Sequence, residues 1–210
     1  MQAYEARMDQ DIQKRESSDD RRAAIAAAAR DLIVEKGLEG LRTRDIAARV
    51  GINIATLHYH VPSKEALIAL VAQSLKAEFR AQGLARPREK KTGLQLLHME
   101  FEDALETQEQ APERIAVMAE LVERARRDPA IAEIMLPMRA HWRAMLAEMF
   151  QQGVVDGTLR ADINPAAAAD IFIGMIAATR SSKTSRDHTL VLFKEFERAF
   201  AARPQTIPEV

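Results

Sequence analysis

The chain of 210 residues contains no cysteine, which excludes disulfides, thiol nucleophiles, thiolate zinc sites and iron–sulfur ligation. It has no excess of either charge sign: 30 Lys and Arg stand against 31 Asp and Glu, so any nucleic-acid site must be local rather than spread over a basic surface. Long apolar runs are missing too. The longest, Ala166 to Ala178, is interrupted by Asp170 and falls short of the roughly 20 residues that a membrane span needs. The first residues, MQAYEARMDQDIQKRE, have no apolar signal core, so the expected location is cytoplasmic. Period-two alternation is rare, and there is no Gly-x-Ser-x-Gly, phosphate loop, dinucleotide loop or His-Glu-x-x-His.

What remains is helical periodicity, and the fold class expected is all-α. Residues 1–18 carry no apolar stripe and are expected to be a flexible extension. Ser17 or Ser18 then caps a helix whose apolar residues Ile25, Ala28, Ala29, Leu32 and Ile33 share one face, and Gly37 ends it. Two short helical segments follow. Thr43 is expected to cap the first and Asn53 the second, Ile54 to His60, with Gly51 at the turn between them. Pro62 stops the second segment and Ser63 caps a longer helix reaching toward Arg80. Residues 83–93 read as a loop. Beyond it come stripes led by Leu97 and Phe101, by Met118 and Leu121, and by Met138, Trp142 and Met145, the last with Pro137 expected to kink or break its helix. Asn164 and Pro165 form an N-cap and first-turn pair for an apolar helix, and a last helix carries Phe193, Phe196 and Phe200. The domains expected are a helix-turn-helix unit at 19–65, a larger unit at 66–203, and a fraying tail at 204–210.

Two short helices around a glycine turn form the helix-turn-helix pattern. Between Gly40 and Lys64 lie Arg42, Arg44, Arg49 and Lys64 against Asp45 alone, a local charge of +3 suited to phosphates. The outward residues of the second helix, Asn53, Ile54, Ala55, Thr56, His58 and Tyr59, are mostly polar or small, and Leu57 anchors it. The competing reading is an ordinary helical hairpin with a solvated face. A metal site at His58 and His60 is not expected, because residues two apart on a helix point about 200° away from each other.

Residues 21–67 resemble the DNA-binding domain of the TetR family of transcriptional repressors. The likeness runs through Gly-Leu-Glu-Gly-Leu, Thr43-Arg44, Ile46-Ala47, Gly51-Ile52, Thr56-Leu57-His58-Tyr59-His60-Val61, Lys64 and Leu67. The resemblance implies that Thr43 and Lys64 touch phosphate, that Arg44 reaches a base, that Asn53, Ile54 and Ala55 open the recognition helix, and that His58 and His60 lie along the DNA backbone. Two positions depart from the pattern. His58 stands where the family commonly has Tyr, and Ile54 cannot hydrogen-bond a base edge but can pack on a thymine methyl.

The rest of the chain resembles the family only in layout, which implies a ligand-binding bundle and two dimerising helices. The function expected is that of a repressor that binds a palindromic double-stranded DNA operator as a homodimer and is released by a small, largely apolar effector. No cofactor or metal is expected. The pocket residues expected are His98, Phe101, Met118, Leu121, Met138, Trp142 and Met145, and the dimer residues Phe172, Gly174, Met175, Phe193, Phe196 and Phe200. For the pocket set, plain core filling competes with a pocket lining. A helical enzyme or a protein-binding adaptor is the alternative function; salt-dependent binding to a palindromic duplex separates it from a regulator.

Overall fold

Segment 2–36 contains no Gly or Pro and is dominated by Ala and charged residues of good helix propensity. Helix α1 accordingly runs from Gln2 to Lys36 without a break. Ser17 and Ser18 are therefore interior residues and not a cap, and the expected flexible extension is helical. The structure, a computed structural model, describes the backbone of residues 2–181 and 185–202, with side chains over 18–179 and 185–202. The tail expected at 204–210 lies outside the described residues.

Among the described residues, eight further helices follow: α2 (Thr43–Val50), α3 (Ile54–His60), α4 (Lys64–Leu84), α5 (Gly93–Gln110), α6 (Pro112–Ala125), α7 (Pro129–Val155), α8 (Pro165–Ser181) and α9 (Arg186–Phe200). The fold class is all-α. No helix among the described residues is long and apolar enough to cross a membrane. Helix α4 continues through Gly83, where a loop was expected, and α7 remains helical through Pro137. The loop ends at Thr92, whose hydroxyl accepts from Gln95 N while the Gln95 side chain accepts from Thr92 N, a reciprocal cap that starts α5.

The described residues within Met1–Phe79 and Ala116–Met135 form one compact unit, and those within Arg80–Ile115 and Leu136–Val210 form a second. Most of α6 and the start of α7 thus belong with α1–α3, although the sequence places them in the second domain. The physical reason lies at the end of α1. Gly37 turns the chain with φ +68°, Leu38 N–H then donates to Glu120 Oε1 at 3.1 Å, and Arg124 pairs with Glu39. In this unit Ile25, Leu32, Ile46, Leu57, Val71 and Leu121 are fully buried.

The second unit is built on Leu97, Phe101, Leu146, Phe150, Phe172, Phe193 and Phe196. Helices α5 and α7 meet backbone to backbone, since a Cβ on Gly93 would lie 2.1 Å from Gly153 N. Asp156, just past α7, accepts from Gly93 N at 2.7 Å and so closes the same junction. The connection after α7 is held to the end of α9 by Arg160 N to Phe200 O and Ala202 N to Thr158 O, each 3.0 Å.

Candidate nucleic-acid interface

Helix α3 has seven residues, too few to persist alone, so its position is set by its ends and by one anchor. Gly51 adopts φ +71°, the left-handed turn that an L side chain resists, and its N–H caps α2. Asn53 Oδ1 accepts from Thr56 N at 2.7 Å, the N-cap expected from the sequence. Leu57 is fully buried. Arg22 Nη1 donates to the carbonyl of His60 at 3.0 Å, tying the far end of α3 to α1. Sequence reasoning missed Arg22; the bond joins residues 38 apart, and no local pattern signals it. Thr43 is the first residue of α2 and not its cap: Arg42 holds the cap position in extended conformation, and its side chain makes no capping hydrogen bond.

Leu57 is turned inward, whereas Ile54, at the first residue of α3, and Ala55, His58 and Tyr59 are exposed. Ile54 is 49% exposed and Tyr59 80%, large values for side chains of that size. Thr56 and His60 are half-buried. The cations divide. The Arg44 side chain is 79% exposed and its Nε lies 3.6 Å from Asp45. Lys64 is exposed at the first turn of α4, and Arg42 is exposed while donating to the Glu39 carbonyl at 2.9 Å. Arg49 is different. Both its terminal nitrogens bond Glu35 at 2.9 Å, which neutralises it and removes it from the basic patch counted in the sequence. Asp45 accepts from Lys36 Nζ at 2.9 Å; that bond, with the charges of Lys36, Arg44 and Arg42, holds its carboxyl below the ordinary carboxylate value.

The residues expected to line a pocket are divided between the two units. Met118 and Leu121 belong to the first unit, and the other five to the second. Phe101 is a core residue stacked on Phe193 with ring centroids 4.0 Å apart. Trp142 is half-buried, and its Nε1 donates to Glu100 Oε2 at 3.4 Å. Met138 and Met145 are half-buried. His98 lies edge-on to Phe193 at 4.8 Å with its Nε2 3.5 Å from Glu197. It borders a shallow depression of about 300 Å³ with Lys91, Leu94, Gln95 and Met99, and no other expected pocket residue lines it. Among the described residues no cluster of His, Asp and Glu could hold a metal ion.

Three of the expected dimer residues lie in the core of the second unit. Phe172, Phe193 and Phe196 are buried inside the second unit, and Phe172 and Phe196 meet edge-on at 5.4 Å. The reason is that their sides of α8 and α9 turn toward Phe101 and Phe150. Gly174 is exposed, Met175 and Phe200 are half-buried, and the large apolar side chains left outside are Ile171 on α8 and Val191 on α9, 54% and 51% exposed.

Residues 25–71 match the family described as bacterial regulatory proteins, tetR family, and residues 94–177 match the C-terminal region of BetI-type transcriptional repressors. The HTH-type transcriptional regulator UidR of Escherichia coli K12 is 25% identical over 170 residues, covering 79% of this chain and 85% of UidR. The class A tetracycline repressor from transposon 1721 of Escherichia coli is 36% identical over 62 residues, 30% of this chain and 29% of that protein. Among solved structures, a transcriptional regulator from Saccharomonospora viridis in complex with choline shares the fold with TM-score 0.78 at 21% identity, covering 88% of this chain and all of that one. AibR in complex with isovaleryl coenzyme A and operator DNA shares it with TM-score 0.65 at 23% identity, over 85% of this chain and 95% of that one.

Proposed function

Since the chain belongs to the TetR family, whose members are ligand-responsive DNA-binding regulators and not enzymes, we propose that it is a cytoplasmic repressor that binds a palindromic operator as a homodimer. The observation that carries this reading is the exposed face of α3, held by the Asn53 cap and the Leu57 anchor and flanked by Arg44 and Lys64. That face would enter the major groove while Arg42, Thr43, Lys64 and the histidines meet phosphates. Two such helices would sit in half-sites about 34–36 Å apart. The dimer would form through the outer faces of α8 and α9, on Ile171, Gly174 and Val191, with the same patch used by both copies.

The effector would be small and largely apolar, taken up in the second unit at the depression beside Leu94 and Met99, with His98 as polar contact. It acts only to the extent that it prefers the conformation unfit for DNA. Similar proteins hold different occupants, choline in one and isovaleryl coenzyme A with operator DNA in another, so the ligand has to be found by screening. The test is selection of duplexes from a random pool, followed by titration at several salt concentrations. A regulator binds a palindrome with steep salt dependence and releases it on adding a compound that raises its melting temperature. Absence of salt-dependent binding to every duplex overturns the reading.

A further inference from the structure

We propose that this chain selects its operator through the C5-methyl groups of thymines, met by Ile54 and Ala55 at the first turn of α3, and not through hydrogen bonds from that helix to base edges; the inference rests on the operator-binding reading above. The residues of α3, Ile-Ala-Thr-Leu-His-Tyr-His, include none of the side chains that pair bidentately with bases. The amide nearest to it, Asn53, already has its oxygen engaged by Thr56 N at 2.7 Å, so it cannot turn to an adenine without giving up the cap. Thr56 is half-buried and Leu57 fully buried. What the first turn presents to a groove is therefore Ile54, half-exposed, beside Ala55.

A recognition helix reads base edges chiefly with its N-terminal residues, which places these two deepest and leaves His58 and Tyr59, a turn later, nearer the phosphates. Isoleucine is stiff at χ1, so the apolar knob is preformed. The thymine methyl is the one apolar group on the major-groove edges of the four bases, and it is the feature that an isoleucine can distinguish. Exposed Arg44 and Lys64 supply the complementary charge that brings this apolar face against a polyanion.

The experiment uses the full chain and the duplex obtained by selection. Each thymine is replaced in turn by uracil, which deletes the methyl and nothing else. At one or two positions per half-site, affinity should fall about fourfold, and about fifteenfold when both half-sites are changed together. Where cytosine replaces thymine at those positions, 5-methylcytosine should bind about fourfold more tightly than plain cytosine. At one of the sensitive positions Ile54→Ala should lose most of the discrimination between thymine and uracil while keeping its salt dependence, and Ile54→Val should retain most of it. Ile54 is exposed, so neither variant threatens the fold. A flat uracil scan in a salt-dependent binder, or discrimination unchanged in Ile54→Ala, overturns the methyl reading alone. Failure to bind any duplex overturns it together with the operator reading.

Discussion

The carboxylate of Glu120 accepts the backbone N–H of Leu38 across 82 residues of chain. Leu38 is almost fully buried and follows the left-handed Gly37, so this N–H has left the α1 ladder and water does not reach it easily. Removing the acceptor leaves a desolvated donor, which costs about 1–3 kcal/mol. Glu120→Ala should lower stability by that amount in urea unfolding. Glu120→Gln, whose amide oxygen still accepts, should lose clearly less.

Arg44, Lys64 and Arg49 carry the same formal charge but should behave differently on DNA. Lys64→Ala should weaken all duplexes alike and lower the slope of log affinity against log salt by about one for each bound subunit. Arg44→Ala should in addition flatten the preference for the selected site. Arg49→Ala should leave the salt slope unchanged, because Glu35 already neutralises that guanidinium. Fluorescence anisotropy from about 50 to 200 mM salt distinguishes the three.

Exposed His58 stands beside the expected phosphates. If it meets one of them, His58→Ala should weaken all duplexes alike, as loss of a phosphate contact does. Unchanged affinity counts against phosphate contact at this position.

The buried phenylalanines and the exposed aliphatics of the last two helices predict opposite outcomes. Phe193→Glu and Phe196→Glu put a carboxylate into the core of the second unit and should unfold it. Ile171→Glu and Val191→Glu should keep the helical circular dichroism and yield monomers by light scattering. Dimers in both of the latter would move the interface elsewhere.

Asp156 gives a pH signature to the α5–α7 junction. Burial pushes its carboxyl up, but hydrogen bonds from Thr158 Oγ1, Gly93 N–H and Thr158 N–H outweigh it, so the group sits below its ordinary value of 3.8. A carboxyl depressed in the folded state adds stability above its unfolded value, and that stability is lost as pH falls through the folded one. Wild type should therefore melt above Asp156→Asn at pH 7, and the gap should close below about pH 4.

Local chemistry was readable in advance and distant chemistry was not. Asn53, Gly51, Ser63 and Asn164 mark turns and caps because a cap bond spans only two or three residues. Ser17 and Ser18 misled because a cap-forming residue is also tolerated inside a helix when nothing nearby stops it. The sequence marks Phe193 and Phe196 as one apolar stripe and Phe172 as part of an apolar helix, but neither says whether the partner lies in the same chain or in another copy. The engagement of Arg49 by Glu35 and of His60 by Arg22 depends on how α1 lies against α2 and α3, which no spacing reveals. The outward residues of α3 could be listed from its sequence, yet how far Ile54 stands out, 49% exposed, depends on the packing around the helix.

The division of labour within α3 bears on how such a regulator diverges. Asn53 and Leu57 hold the helix, whereas Ile54, Ala55, His58 and Tyr59 contribute little to holding it. Changes at those four positions are nearly neutral for folding, so selection acts on them through the DNA site alone. A duplicated copy of the gene could drift to a new operator by such steps without passing through an unfolded intermediate.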